Sequence, residues 1–201
     1  HAPVDLFAIS GHKLHAAKGV GALYVHRSTK LRPLIVGGHQ ERGRRAGTEN
    51  VSAIAGLGVA CDLAAAGLEH ENVEVRRLRD RLEQGLLAAI PDCQANGDPD
   101  YRLPNTTNIS FRYIEGEGIL LLLDRVGVAA SSGSACTSGS LEPSHVLRAM
   151  GLPFTLTHGS IRFSLSRYNT QAEVDYVIEV LPPIIERLRL ITPFNEQRAT
   201  F

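Results

Sequence analysis

The chain has 201 residues, which is enough for one domain with a substantial core or for one domain and part of a second. Its 21 basic residues balance its 21 acidic residues, and this balance argues against a protein that binds nucleic acid or a membrane surface. No apolar run approaches the roughly 18 residues of a membrane span. The first residues carry neither an initiator Met nor the features of a secretory signal, so we expect the chain to enter its fold at a strand.

Three cysteines lie far apart in the sequence, at positions 61, 93 and 136. Their odd number and wide spacing predict neither a disulfide framework nor a CxxC metal pair, and they fit a reducing cytosol. We therefore expect a cytoplasmic protein. Cys61 lies in an apolar helical run and is expected to pack as a small hydrophobe, whereas Cys93 is predicted to lie in a turn.

The start of the chain predicts two neighbouring strands. Residues 4–9 and 20–25 are short apolar runs of the kind that form strands, and Lys13 lies in the glycine-flanked turn between them. A lysine at such a position is ordinarily a solvated charge, so its position alone does not assign it a role.

A Gly- and Arg-rich loop over residues 37–50 precedes a helix. Its backbone amides and the Thr48 hydroxyl are suited to binding an anion, and a solvated charged loop is the alternative. Residues 51–66 are apolar on most sides, which predicts a buried helix. Thr48 or Asn50 is expected to cap it.

The remainder of the chain alternates helices with strands. Apolar residues recur at helical spacing over 68–90, and strand-like alternation follows over 106–111 and 161–165. Shorter helices are predicted over 116–126 and 143–150. Taken together, the elements predict an α+β fold, in which the segment after about residue 68 forms a compact two-layer domain.

Two local features of these helices carry their own expectations. Four arginines fall largely off the apolar stripe of the 68–90 helix and are expected to form a solvated face; they are Arg76, Arg77, Arg79 and Arg81. Thr170 and Glu173 have the spacing of a capping box at the start of the last helix. Pro182 and Pro183 are expected to kink or break that helix.

Residues 131–140 place Cys136 in a run of Ser, Gly, Ala and Thr, which buries almost nothing and keeps the backbone permissive. A loop that carries a thiol explains this run better than a core does. Lys13 offers an amine of the type that forms Schiff bases, and Ser10 and His12 are donors suited to a phosphate beside it. Arg162 is suited to bind a carboxylate through its fork of donors. Together they suggest pyridoxal phosphate acting on an amino acid, with a cysteine as second nucleophile.

Four blocks of the sequence resemble, in order, signatures of the cysteine desulfurases, which are fold-type I pyridoxal-phosphate enzymes. The blocks are SGHK (10–13) with KGVGALYV (18–25), GGHQER (37–42) with RAGTEN (45–50), SGSAC (132–136), and LEPSHVLRAMG (141–151) with SIRFSLSR (160–167). The last block leans toward the nitrogen-fixation type, which supplies sulfur for nitrogenase maturation. The resemblance runs from end to end of the chain.

The resemblance implies a role for each matching residue. Lys13 would be attached to the cofactor aldehyde and would later move protons, and Ser10 and His12 would bind the cofactor phosphate. Thr48 would reach the phosphate of the neighbouring subunit's cofactor, so the site would need a homodimer. Arg162 would bind the carboxylate of L-cysteine.

The same resemblance gives the cysteine loop its task. Cys136 would take the substrate sulfur as a persulfide and release alanine. It would then pass the sulfur to an iron–sulfur scaffold protein, acting as a transient iron–sulfur ligand during transfer. No nucleic-acid or membrane partner is implied.

Members of that family are about twice this length. The resemblance therefore implies an α/β fold whose C-terminal part is α+β, with residues 1–67 as the end of the cofactor-binding large domain of the fold-type I architecture. Residues 68–201 would be its small C-terminal domain, with the cysteine loop at 131–140. We expect the chain to be a fragment that does not hold the cofactor catalytically by itself, because the missing half would supply the remaining phosphate ligands, the residue that stacks on the pyridine ring and the acid that pairs with its nitrogen.

Two other functions remain open from the sequence. A selenocysteine lyase or cysteine-sulfinate desulfinase would share the chemistry, although the long Ser/Gly loop counts against it. A non-catalytic module that keeps the partner-binding and dimer surfaces is the alternative from another class.

Overall fold

A computed structural model of the protein describes residues 4–132 and 144–192. The chain divides into two compact units, His1–Leu68 and Glu69–Phe201. Within the described residues, no single helix is long and apolar enough to cross a membrane.

The first unit contains an antiparallel pair of strands. Strand β1 (Leu6–Ser10) pairs with β2 (Gly21–Val25) in a register that runs from Leu6 opposite Val25 to Ser10 opposite Gly21. A 3-10 turn (Gly11–Leu14) follows β1, and a second one (Gln40–Gly43) lies in the Gly- and Arg-rich loop. The two predicted strands and the position of Lys13 between them are confirmed.

Helix α1 (Val51–Ala66) begins at Asn50, whose side-chain Oδ1 accepts a hydrogen bond from the Ala53 amide. Asn50 is therefore the cap, and Thr48 is not. The expectation of a buried helix is wrong for this unit, because only Leu57 and Ala60 are buried. Large apolar side chains remain exposed on the other faces of α1, namely Val51, Ile54, Val59 and Leu63. The first unit provides a packing surface for only one side of a helix that is apolar all round.

A long helical stretch leads from the first unit into the second, and the described residues of the second unit form four further helices. The stretch consists of α2 (Leu68–His70), a π-helical segment (Glu71–Val75) and α3 (Arg76–Ala89). The later helices are α4 (Gly116–Arg125), α5 (His145–Ala149), α6 (Phe154–His158) and α7 (Gln171–Ile191).

In the described part of the second unit, three strands form an antiparallel sheet with β4 (Thr106–Phe111) in the centre. Strand β3 (Cys93–Asn96) pairs with one edge of β4, and β5 (Ser160–Ser164) pairs with the other. The core packs one face of this sheet against α3, α4 and α7; its fully buried side chains include Leu86, Ile109, Phe111, Ile119, Leu123, Ile161, Leu181 and Ile185. The alternation predicted for β4 is confirmed, since Ile109 and Phe111 both face this core.

Three local expectations are corrected. Cys93 begins β3 instead of lying in a turn; its thiol donates to the Ile90 carbonyl, and burial raises the pKa of that thiol. Arg79 is buried, because its guanidinium donates to Asp80 and to the carbonyl of Leu103. The solvated arginine face therefore does not include it.

Pro182 and Pro183 do not break α7, which is continuous from Gln171 to Ile191. Each proline removes a backbone donor, but Leu181 and Ile185 on either side of the pair are fully buried in the core. Packing of these side chains offsets the lost hydrogen bonds. The capping box of Thr170 and Glu173 is present as predicted.

A largely buried ion pair fixes the chain between β3 and β4 to α3. Glu83 accepts two hydrogen bonds from the Arg102 guanidinium, of which the Nη2–Oε1 distance is 2.8 Å, and a third from the Thr107 hydroxyl. The hydrogen bond from Arg102 lowers the pKa of Glu83. Since the pKa of Glu83 is lower in the folded than in the unfolded protein, this pair stabilises the fold at neutral pH, and the stabilisation is lost as pH falls through the folded-state pKa.

We predict that Glu83→Gln lowers the free energy of unfolding by about 2 kcal/mol at pH 7, because it removes the carboxylate that is hydrogen-bonded to Arg102 and leaves only the more distant Asp80, at 3.8 Å, as a counter-ion. The loss should shrink at pH values below the folded-state pKa, where Glu83 is itself neutral. Glu74→Gln is the matched control, because Glu74 forms an exposed ion pair with Arg77 and should cost less than about 0.5 kcal/mol. Urea unfolding followed by circular dichroism measures both. Equal losses for the two variants would contradict this account of the pair.

Candidate active site

Lys13 lies on a tight turn directly after β1. Strand β1 ends at Ser10, and the 3-10 turn of Gly11–Leu14 carries His12 and Lys13. His15 closes the turn in the left-handed conformation with a φ of 64°, and the Ala16 amide donates to the Gly11 carbonyl over 3.1 Å. This geometry brings the predicted residues Ser10, His12 and Lys13 together within four positions at one end of the strand pair.

Gly11 makes this turn sterically feasible. Its amide donates to the Val20 carbonyl over 2.9 Å, and the residue is buried. A Cβ atom at this position would lie 2.8 Å from the Val20 carbonyl oxygen and 2.9 Å from Val20 Cγ1. A larger residue would push the turn away from β2, so the glycine sets where Lys13 lies.

The polar side chains on the turn are available to a ligand. Ser10, His12 and Lys13 are exposed, and none of their side chains has a hydrogen bond or ion pair with any residue in 4–132 or 144–192. An amine next to a hydroxyl and an imidazole suits a cofactor that has both an aldehyde and a phosphate. The residues present therefore fit pyridoxal phosphate.

Thr48 lies in a loop that folds back on itself. The Arg45 guanidinium donates to the carbonyls of Gly47 and Thr48 at 3.0 and 3.3 Å, and the Gly47 amide donates to the Gln40 side chain at 3.2 Å. The Thr48 side chain is exposed. Among the described residues it makes no hydrogen bond to the Lys13 turn, so its predicted role toward a second subunit's cofactor stays a prediction.

Arg162 belongs to the second unit, where it lies in the middle of β5. Its neighbours Ile161 and Phe163 are buried in the core, so the Arg162 side chain lies on the opposite, polar face of the sheet, as predicted. The guanidinium is half-buried, and in the described part of the chain it has no ion pair or hydrogen-bond partner. It is therefore available to bind a carboxylate.

Cys136 lies outside the described residues. Its predicted role as a transient iron–sulfur ligand therefore stays a prediction. The described chain before it ends at Ser132. Ser131 pairs with Arg162 in an isolated antiparallel bridge, with the Arg162 amide donating to the Ser131 carbonyl over 2.6 Å and the reverse bond measuring 3.2 Å. Across the described residues, no cluster of three or more His, Cys, Asp or Glu side chains could hold a metal ion.

The polar residues beside Arg162 are a feature that the sequence analysis missed. Asn108 on β4 lies opposite Arg162, and its Oδ1 accepts a hydrogen bond from Asn96 on β3 over 2.6 Å. The Asn96 amide also donates to Ser110 over 2.7 Å. The sequence of β4 does contain a signal for this polar face, because Asn108 and Ser110 alternate with the apolar residues Ile109 and Phe111.

Comparison with known proteins shows to which family this chain belongs. A family model described as aminotransferase class-V matches residues 1–177. The cysteine desulfurase of Trichormus azollae is 66% identical over 196 residues, which cover 98% of this chain and 49% of that protein. The cysteine desulfurase NifS of Azotobacter vinelandii is 63% identical over 191 residues, which cover 95% of this chain and 48% of that protein.

A solved NifS-like protein has the same fold. Its structure matches 92% of this chain and 47% of its own chain, with a TM-score of 0.83 at 37% sequence identity. The chain therefore belongs to the class-V aminotransferase family, whose cofactor is pyridoxal phosphate. The predicted α/β fold class and the resemblance to cysteine desulfurases are confirmed. The chain spans about half the length of the curated relatives it matches.

We predict that Gly11→Ala abolishes attachment of pyridoxal phosphate to Lys13, because the added methyl group displaces the turn from Val20. Overpacking of this kind costs about 1–3 kcal/mol. Borohydride reduction followed by peptide mapping measures attachment in the complete protein that contains these residues. Gly58→Ala in α1 is the matched control, since a Cβ there meets nothing within 4 Å. Attachment at the level of the control would show that the turn does not depend on Gly11.

Proposed function

We propose that this chain is part of a cysteine desulfurase and supplies the two nucleophiles of the reaction, Lys13 and Cys136. One observation carries the proposal: Ser10, His12 and Lys13 lie together where β1 enters its turn, and within the described residues their side chains have no hydrogen bond or ion pair, in a chain 66% identical to a cysteine desulfurase. The reaction converts L-cysteine and an enzyme thiol into L-alanine and an enzyme persulfide.

The atoms and electrons of this reaction balance without an added oxidant or reductant. The carbon–sulfur bond of the substrate breaks, and a sulfur–sulfur bond to Cys136 forms. The electron pair of the broken bond stays with carbon, which is reduced to the methyl group of alanine, while the two sulfur atoms reach the persulfide level. The additional hydrogen of the methyl group equals the proton that the two thiols give up in forming the persulfide.

Each residue of the chain has one task in this proposal. Ser10 and His12 donate hydrogen bonds to the cofactor phosphate, and the Arg162 guanidinium binds the substrate carboxylate through paired N–H donors. Pyridoxal phosphate, when bound, withdraws electrons from the α-carbon of the substrate. Lys13 forms the covalent link to the cofactor and, once released, moves protons between substrate carbons.

Cys136 attacks the substrate sulfur as a thiolate and then carries the sulfur to an acceptor. We propose that the acceptor is an iron–sulfur scaffold protein and that Cys136 is a transient ligand during transfer. The similarity to a protein named NifS supports a role in nitrogenase maturation.

The site would be completed in a homodimer through Thr48. The free thiols of Cys61 and Cys93 support a cytoplasmic location.

Separate substitutions of the two nucleophiles test the proposal in the complete protein. Lys13→Ala should remove the covalent link to pyridoxal phosphate and with it alanine production. Cys136→Ala should keep the link, seen as the absorbance of the bound cofactor, and lower alanine production by at least about a hundredfold.

Cys61→Ala is the control for Cys136→Ala and should keep both properties, because Cys61 lies in α1 and has no proposed task. Alanine production at the wild-type rate by the Cys136→Ala protein would overturn the proposal. Rapid turnover of L-selenocysteine or cysteine sulfinate by that variant would indicate the alternative enzymes instead.

A further inference from the structure

The backbone of Arg162 has hydrogen bonds on the side of β5 that faces away from β4. Both bonds run to Ser131, as amide donor and as carbonyl acceptor. In an antiparallel sheet, a residue directs both backbone groups toward the same side. Arg162 and Asn108 are therefore a non-hydrogen-bonded pair, and Ser131 satisfies the backbone of Arg162 in place of a further strand.

Gly116, the first residue of α4, lies against the end of this bridge. The glycine is buried. A Cβ atom built on it would lie 3.2 Å from Ser132 Cβ, 3.1 Å from the His158 carbonyl oxygen and 3.3 Å from the Ser160 carbonyl oxygen. The absence of a side chain at 116 allows Ser132 to lie this close to α4.

These three neighbours are not equally able to move. Ser160 is paired with Ser110 on the central strand, and the carbonyl of Gly159, next to His158, accepts a hydrogen bond from the Phe111 amide over 3.0 Å. Ile161, the residue after Ser160, is paired with Ile109, so the backbone that carries the His158 and Ser160 carbonyls is anchored to β4 at Gly159 and Ile161. Two carbon atoms at 3.2 Å are closer than their optimum of about 3.5–4.0 Å, so Ser132 is the neighbour that an added methyl group would displace.

We propose that Gly116 is a positioning residue, which fixes Ser132 and the Ser131–Arg162 bridge, so that the chain continues toward Cys136 from a point beside the arginine proposed to bind the substrate carboxylate. This inference rests on the proposed function. On this proposal Gly116 affects the step in which Cys136 accepts sulfur, and it does so through Ser132 and the bridge without itself contacting substrate or cofactor. The arginine itself stays in place through the pairing of β5 with β4.

Gly116→Ala therefore affects sulfur transfer more than substrate binding. In the complete protein with pyridoxal phosphate, we expect kcat for alanine formation to fall about tenfold, since small misplacements of a reacting group are costly. The KM for L-cysteine and the absorbance of the bound cofactor should stay within about twofold. Hydrogen exchange of the amides at Ser131 and Arg162 should become faster.

Two further variants make the test specific. Gly118→Ala is the matched control, because it makes the same change in the same helix but a Cβ there meets the end of the flexible Leu188 side chain at 3.2 Å. Gly116→Ala combined with Ser132→Gly should recover most of the kcat of Ser132→Gly alone, because the second change removes the displaced carbon atom.

Equal kcat values for Gly116→Ala and Gly118→Ala would overturn the inference. A parallel rise in the KM for L-cysteine would also overturn it, because it would mean that Arg162 itself has moved. The inference would fail as well if the double variant did not recover its kcat or did not fold. If the wild-type protein forms no alanine, the proposed function fails. The exchange rates at Ser131 and Arg162 in the two alanine variants still decide whether Gly116 positions the bridge.

Discussion

The two faces of β4 organise the second unit. Ile109 and Phe111 point into the core between the sheet and its helices, while Asn108 and Ser110 lie on the opposite, polar face. Because side chains alternate along a strand, a shift of one residue in register would exchange the two sets. Burial of the apolar face therefore determines that Arg162, across from Asn108, presents its guanidinium on the polar face. The substrate-binding role proposed for Arg162 depends on that register.

The first unit depends on a different constraint, which is close backbone approach between β1 and β2. Gly11 allows the 3-10 turn after β1 to pack on Val20, and this packing sets the position of Lys13 in the same turn. Helix α1 is apolar all round but is covered on one side only, with exposed residues such as Val59 at 59% and Leu63 at 56% of their full accessible surface. An apolar helix surface of this kind ordinarily packs against further protein, and the relatives of this chain have about twice its length. Lys13 thus lies in a unit that leaves an apolar helix surface exposed.

Sequence patterns predicted the features that depend on local spacing and missed those that depend on contacts between distant segments. Periodicity located β4, β5 and the main helices, and the turn carrying Lys13 was recognisable because all its residues are consecutive. The burial of Arg79 was missed because its acceptor, the Leu103 carbonyl, lies 24 residues further along the chain. Strand β3 has no apolar alternation and forms through pairing with β4. The bridge between Ser131 and Arg162 is a backbone contact, which residue types alone do not encode.

The proposed function requires that sulfur pass from L-cysteine to one particular thiol of this chain. The complete protein, loaded with pyridoxal phosphate, can be incubated with L-cysteine labelled with heavy sulfur, and its peptides analysed by mass spectrometry without reduction. We predict one additional labelled sulfur atom on the peptide that contains Cys136 and none on the peptides that contain Cys61 or Cys93, whose thiols lie in α1 and at the start of β3. Label on either of those two cysteines, or alanine formation without label on Cys136, would contradict the account.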